Sequence, residues 1–342
     1  MKAIVFNQHG GPEVLQYIDV ADPVPAPGEV LIDLKAAALN RLDLWMRNGI
    51  PGYDLPLPHI SGGDGAGVVA ALGEGVSGFA PGERVVINGT LFCGQCEVCR
   101  AGQENLCKQG GVLGEHRWGT LAEKIALPAR NLLKMPQGFP FEEAAAASLV
   151  YLTAWHSLIT RGGLQAGESV LIIGASGGVN SASIQIAKHK GAVVYVVGSS
   201  EAKLEQAKSL GADHLIHREQ EDWGKAVFTL TEKRGVDVVV DNVGQATWAT
   251  SLRSLRRGGR MLVVGNTSGY EIALNSRLIF GKHLSIIGST MGTTADFKEV
   301  MGLLFAGRLK PVIGQALPLA ETARAQAILE RGEVFGKLVL RM

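Results

Sequence analysis

Residues 169–198 read SVLIIGASGGVNSASIQIAKHKGAVVYVVG, and this stretch decides the fold of much of the chain. Its first six residues, SVLIIG, are almost continuously apolar, the pattern of a strand buried on both faces rather than one. Glycines 174, 177 and 178 then precede residues 179–190, whose composition is helical, and VVYVVG at 193–198 gives a second buried strand. Glycines at a strand-to-helix turn let backbone N–H groups approach a pyrophosphate, and the helix N-terminus adds partial positive charge. Gly174, Ser176, Gly177, Gly178 and Val179 are therefore assigned to the phosphates of a dinucleotide. Glycine also closes turns without any ligand, but strand before, helix after and second strand at the expected distance supply the context that the motif requires. Asn180 stands where a small, closely packing residue is usual, which predicts a slightly altered helix seat.

Working outward, HLIH (214–217), VDVVVD (236–241), RMLVVG (260–265) and LSIIG (284–288) continue the series, with helices such as 200–210 between them. Six short apolar strands alternating with helices predict a doubly wound parallel sheet. At the end of the second strand an NAD-binding chain usually places Asp or Glu on the ribose hydroxyls. Here the residues are Gly198, Ser199 and Ser200, with Lys203 one turn on. Two hydroxyls and an ammonium favour NADP(H). The competing reading has Ser199 capping the helix, Lys203 in solvent and Glu201 reaching the ribose of NAD(H).

The first 130 or so residues differ: KAIVF, EVLIDLKAAAL, GAGVVAALG, ERVVI and AEKIAL are β-like runs broken by Pro and Gly, predicting a largely antiparallel domain. EEAAAASLVYLTAWHSLI, from residue 142, is helical. After GSTMGT come a helix at 295–307, the strand-like PVIGQAL, a helix at 320–331 and GKLVLRM. These elements are too few for a third domain and are read as completing the first. The resulting division is 1–150 with 291–342, and 151–290. Thirty-three basic against 32 acidic residues give no electrostatic reason to expect nucleic acid or an anionic membrane as partner. The apolar run 144–155, interrupted by Ser148 and Thr153, is too short to span a bilayer. MKAIVFNQHGGPEVL lacks a leader's apolar core, so a soluble cytoplasmic protein acting on a small molecule is expected. The apolar strand LSIIG would be an exposed edge in a monomer, which predicts a homodimer or homotetramer.

All four cysteines, Cys93, Cys96, Cys99 and Cys107, fall in CGQCEVCRAGQENLC. The spacing C-x2-C-x2-C-x7-C can bring four sulfurs to the corners of a tetrahedron around one zinc. Two disulfides are the alternative, one that suits secreted chains. Four cysteines leave no open position for water or substrate, so the lobe at about 88–112 is read as structural.

Taken together, GDGAGVV (63–69), PGERVV (81–86), the four-cysteine lobe, SGGV (176–179) and the closing GK resemble the medium-chain dehydrogenase/reductase superfamily, from GGPEVL to FGKLVL. The family comprises the zinc-type alcohol dehydrogenases and their quinone oxidoreductase relatives. The resemblance implies a GroES-like β-rich catalytic domain and a Rossmann domain inserted before its last segment. It also places Asn242, Gly265, Asn266, Ser289, Thr290 and Met291 along the ribose and nicotinamide, and Lys337 near the cofactor. Strand-end turn chemistry is the competing explanation of these loops.

In the zinc alcohol dehydrogenases a Cys, a His-Glu pair and a further Cys, Asp or His hold a catalytic zinc. The corresponding positions here are Asn40, Gly63-Asp64 and Leu149-Val150, a set without a good zinc ligand outside Asp64. What remains resembles the zinc-free quinone and enone reductase branch, with Asn40 and Asp43 in an N-x-x-D arrangement. Asn40 would donate to the oxygen where charge develops, and Asp43 would orient it or relay a proton. Both residues also fit a helix-capping box. Tyr53 lies two residues from the position of that branch's tyrosine, and His116, beside Trp118, would shape a pocket or supply a proton. The expected activity is NAD(P)H-dependent reduction of a quinone, enone or other activated carbonyl by hydride transfer without a catalytic metal. Two alternatives stand beside it: an alcohol or aldehyde dehydrogenase whose metal is held by His59 or His116 with Asp43 or Asp64, and a nucleotide-binding protein without turnover.

Overall fold

A computed structural model describes all 342 residues. The chain divides into two compact units, Met1–Leu149 with Thr293–Met342, and Val150–Gly292.

The second unit is built on a six-stranded parallel sheet. Its strands lie in the order His214–His217, Val193–Gly198, Ser169–Ile173, Val236–Asp241, Leu255–Val263, Ser285–Gly288. Numbered along the unit, that order is 3-2-1-4-5-6, the dinucleotide-binding arrangement, and its direction reverses between Ser169–Ile173 and Val236–Asp241. Both of these central strands are buried along their whole length, as their mostly apolar runs lead one to expect. The fifth strand starts at Leu255, not at Arg260, because LRRGG pairs through a register shift opposite Val236 and Val238. The helices Trp223–Leu230, Trp248–Ser254 and Ser276–Lys282 complete the unit.

In the first unit a seven-stranded sheet runs Ile313–Pro318, Lys337–Arg341, Glu29–Ala38, Asp64–Leu72, Arg84–Ile87, Leu132–Lys134, with Lys124–Pro128 also paired to Glu29–Ala38. The C-terminal strand Lys337–Arg341 pairs antiparallel with Glu29–Ala38, Val339 opposite Ala38. The last segment therefore returns into the first sheet. Val30, Ile32, Leu34, Val69, Val85 and Ile87 form one apolar core, and a second gathers Ile4, Leu39, Ile60, Leu338 and Leu340. The helix Arg41–Asn48 follows directly from the long strand. Its Arg47 is buried and donates to Gly10 O (3.0 Å) and Gln326 Oε1 (2.8 Å), which fixes the helix against its surroundings. No helix is long and apolar enough to cross a membrane.

Candidate functional site

Three separate segments of the first unit converge on Asp64, the first residue of its strand and fully buried. One carboxylate oxygen accepts from Ser148 Oγ (2.5 Å) and from the Leu149 backbone N–H (2.6 Å). The other accepts from Asn40 Nδ2 (2.8 Å) and Lys337 Nζ (2.8 Å). Lys337 Nζ also donates to Asn40 Oδ1 at 2.6 Å, so lysine, asparagine and aspartate close a ring of hydrogen bonds. Lys337 is only 4% exposed, and a buried ion pair is tolerated when its remaining polar atoms are bonded as they are here. The ring fixes the Asn40 amide: its oxygen faces the ammonium, and one of its two N–H bonds faces Asp64. Asn40 itself remains half-buried, at the edge of this network.

Asn40 is the N-cap of helix Arg41–Asn48, and Asp43, at the third helical position, accepts from the Asn40 backbone N–H at 2.7 Å. The capping reading of N-x-x-D thus describes the backbone, while the Asn40 side chain serves the Lys337–Asp64 ring. Burial pushes the Asp43 carboxyl up to about 6, against the opposing pull of the Asn40 and Gly62 N–H groups and of Lys337. Gly62 holds φ +111°, and a Cβ there would lie 2.6 Å from Thr120 Oγ1 and 2.8 Å from its backbone nitrogen, so only glycine fits.

The site does not suit a catalytic zinc. An ammonium within 2.8 Å of the one available carboxylate repels a dication, and a Cβ at position 63 would lie 3.1 Å from Leu149 Cδ1 and 3.2 Å from Leu113 O. The replacement set also fails to assemble. His59 Nε2 bonds the Gly114 carbonyl (3.0 Å), its ring packs edge-on to Phe6, and burial lowers its pKa. His116 Nδ1 accepts the Val112 N–H at 3.2 Å, and the Glu115 carboxylate lies 3.8 Å from the same nitrogen. The cysteines, by contrast, bring four metal-ligating atoms together. Tyr53 packs edge-on to His116, ring centroids 6.1 Å apart, and no hydrogen bond joins either side chain to the Asn40 ring.

Those cysteine sulfurs lie within 4.8 Å of one another, with Cys96 to Cys99 at 3.4 Å, Cys96 to Cys107 at 3.8 Å and Cys93 to Cys99 at 3.9 Å. A tetrahedral zinc–thiolate site has sulfur–sulfur edges of about 3.8 Å. No disulfide joins them, and N–H groups of Gln95 and Cys96 point at Cys93 Sγ, drawing its thiol down to about 6. The four residues fit a structural zinc.

In the second unit the predicted phosphate loop joins strand Ser169–Ile173 to helix Gly178–His189. Gly177 is the N-cap and no side chain caps the helix, which leaves its first N–H groups to an anion. Gly174 holds φ +103°, with Asn180 Nδ2 only 2.6 Å from where a Cβ would stand. Asn180 is more than a displaced small residue: Nδ2 donates to Ile173 O (3.1 Å) and Oδ1 accepts from Asn242 Nδ2 (2.9 Å). It clasps the two loops that flank the reversal in strand order. Ser176 and Val179 lie on the same turn, and Gly265, Asn266, Ser289 and Thr290 follow the fifth and sixth strands. Met291 is buried with φ +50°. Ser200, rather than Ser199, is the N-cap of helix Glu201–Ser209, and Glu201 is engaged by Gln220 Nε2 at 3.2 Å. Lys203 stands in the first turn of that helix. Sequence reading missed Arg218, whose backbone N–H bonds Gly198 O at 2.9 Å and so brings it beside Ser199. The cation following HLIH was the available signal. Lys337, expected near the cofactor by resemblance, belongs to the first unit and to the Asp64 ring.

Comparison with known proteins agrees with this architecture. Residues 26–137 match the alcohol dehydrogenase GroES-like domain, and residues 178–306 match the zinc-binding dehydrogenase domain. The chain is 31% identical over 348 residues to a quinone oxidoreductase of Homo sapiens, covering 99% of this chain and 97% of that one. It is 34% identical over 347 residues to an acryloyl-coenzyme A reductase of Metallosphaera sedula, covering 99% of each. A crystal structure of an NAD-dependent alcohol dehydrogenase superposes with a TM-score of 0.96 at 47% identity, covering 100% of both chains. A GroES-like domain, a parallel dinucleotide-binding sheet and relatives matched along their full length establish that the chain belongs to the medium-chain dehydrogenase/reductase superfamily and is an NAD(P)-dependent oxidoreductase.

Proposed function

We propose that the protein is an NADPH-dependent reductase of an activated carbonyl, a quinone or an enone, that works without a catalytic metal. The observation that carries this reading is the Lys337–Asn40–Asp64 ring. When bound, the nicotinamide supplies the hydride. Addition to a conjugated acceptor places negative charge on the carbonyl oxygen, and the second N–H of the Asn40 amide is the group that meets it. Lys337 polarises that amide from its oxygen side and Asp64 holds its plane, so both are positioning residues. Asp43 holds the Asn40 backbone at the helix start. Tyr53 and His116 are assigned to the acceptor's surroundings, where His116 contributes shape and its Nε2.

Gly174, Ser176, Gly177, Gly178 and Val179 would cradle the pyrophosphate, and Asn242, Gly265, Asn266, Ser289, Thr290 and Met291 the nicotinamide half. Support for NADP(H) comes from Ser199, Ser200, Lys203 and Arg218 around the end of the second strand, where the carboxylate of Glu201 is engaged through one oxygen by Gln220. The relative named as an NAD-dependent alcohol dehydrogenase favours a second reading, alcohol oxidation with NAD on the same ring.

The test is an assay of NADPH and NADH oxidation with a panel of quinones and enones, and of NAD reduction with alcohols, with metal content measured alongside. Expected are one zinc per chain, preference for NADPH, turnover of enones or quinones that survives a weak chelator, and about a 10²- to 10³-fold loss of kcat in Asn40→Ala with cofactor affinity kept. A second zinc per chain, or an Asn40→Ala enzyme of unchanged kcat, would sink the metal-free mechanism. Faster NAD-linked alcohol oxidation would establish the second reading instead.

A further inference from the structure

Within the second unit, the amino-terminal ends of strands Val236–Asp241 and Leu255–Val263 lie at the opposite end of the parallel strands from the phosphate loop. There a cavity of about 390 Å³ is walled by Lys233, Arg234, Arg253, Arg256, Arg257 and Lys282, with Phe228 and Leu255 as its apolar part. One acid answers this charge: Asp237 pairs with Arg234 (2.7 Å) and with Arg256. Lys233, Arg253, Arg257 and Lys282 have no carboxylate partner. Part of the arrangement is internal. Helices Trp223–Leu230, Trp248–Ser254 and Ser276–Lys282 all end here, and cations near helix C-termini offset the partial negative charge of the last carbonyls. Lys282 Nζ donates to Arg253 O (2.8 Å) and Leu255 O (2.7 Å), and Arg257 to Gly281 O (2.9 Å). Such capping accounts for Lys282 and for one N–H of Arg257. It leaves Lys233, the remaining Arg257 donors and most of Arg253, whose one bond is to Thr250 Oγ1 (2.9 Å).

Two further observations point toward a ligand. Glu232 and Lys233 hold φ of 50° and 66°, consecutive left-handed residues that are not glycine, and this unfavourable turn carries Lys233 to the cavity wall. The ammonium of Lys282 is lowered in pKa chiefly by burial, with the nearby Arg257 adding to it. We propose that this cavity binds a compact polyphosphate anion, free or carried by a nucleotide, at a site separate from the dinucleotide loop. Six cations on three different chain segments around one cavity need several negative charges on one small ligand, which two or three linked phosphoryl groups supply and a lone carboxylate does not. Phe228, 47% exposed in the cavity wall, is an apolar face for a nucleobase to stack on.

Calorimetric titration with sodium tripolyphosphate at about 50 mM salt tests this, with the chain saturated in NADPH so that the cofactor loop is closed to the probe. Expected are one saturable site per chain and affinity at least about tenfold weaker in Lys233→Glu/Arg253→Glu, with NADPH affinity and far-UV circular dichroism unchanged. The milder Lys233→Gln/Arg253→Gln should fall between, which keeps the test decisive if the charge reversal misfolds. ATP run in parallel identifies the source: tighter binding than tripolyphosphate assigns the base to Phe228, and equal binding confines recognition to the phosphates. Absence of saturation, unchanged affinity in both variants, or binding seen only without NADPH would each overturn the proposal.

Discussion

Asp43 shows how one residue's environment becomes a measurable property. Its carboxyl is fully buried and its folded pKa of about 6 lies above the usual value for Asp, so the folded protein holds this proton more tightly than the unfolded chain. The stabilising contribution is fully present below the unfolded pKa and is lost as pH rises through the folded one, a window from about 4 to 6. The difference between about 6 and the ordinary 3.8 corresponds to about 3 kcal/mol. Denaturant unfolding of the wild type and Asp43→Asn across that window should therefore show the wild type losing stability relative to the variant by about that amount. A constant difference between the two proteins would mean that Asp43 does not titrate there. At this scale the sequence was partly legible. Asn40 and Asp43, three residues apart, announce a helix start, and the C-x2-C-x2-C-x7-C spacing announces a closed metal lobe. Ser148 announces nothing and Lys337 only a resemblance, because they meet Asp64 from 84 and 273 residues away, and no local pattern encodes such a meeting.

Elements were more legible than residues because their signals are periodic. The strands 193–198, 214–217 and 236–241 were readable to the residue, each a short, mostly apolar run between helical stretches. Short two- and three-residue strands such as Thr90–Leu91, Gly111–Val112 and Leu132–Lys134 were not, since they exist through pairing with distant partners. The early start of Leu255–Val263 was hidden for the same reason: RRGG has no strand propensity and is held by its neighbour. The phosphate loop illustrates an element whose glycine has two independent reasons. Gly174→Ala must adopt a positive φ and must place a Cβ 2.6 Å from Asn180 Nδ2. Displacing Asn180 releases its bond to Asn242, so the variant should bind NADPH at least about tenfold more weakly, read by fluorescence titration, while zinc content stays the same. Retained affinity would show that the loop adapts without the clasp.

For the whole molecule, the sheet of the second unit ends in Ser285–Gly288, a strand with one neighbour and with Ile286 and Ile287 only half-buried. The preceding segment exposes Tyr270, Phe280 and Leu274, the first two at 70%. An open edge beside uncovered aromatic rings is a surface that native proteins usually cover. Light scattering at micromolar concentration should find a dimer or a dimer of dimers, and replacing Ile287 by Lys should shift the population toward monomer. A wild-type monomer would count against this.

The bond between Asp64 and Lys337 also has a history within each molecule's synthesis. The ribosome makes Asp64 early and Lys337 only after all of the second unit has emerged, 273 residues later. Until then the nascent first sheet lacks the strand that lies beside Glu29–Ala38, and Asp64 has no cation to meet. The intervening unit can close around its own parallel strands in the meantime, because none of them depends on the tail. A chain lacking residues 293–342 would keep the second unit, while its Asn40 amide would be held by Asp64 alone, its oxygen still without the Lys337 ammonium.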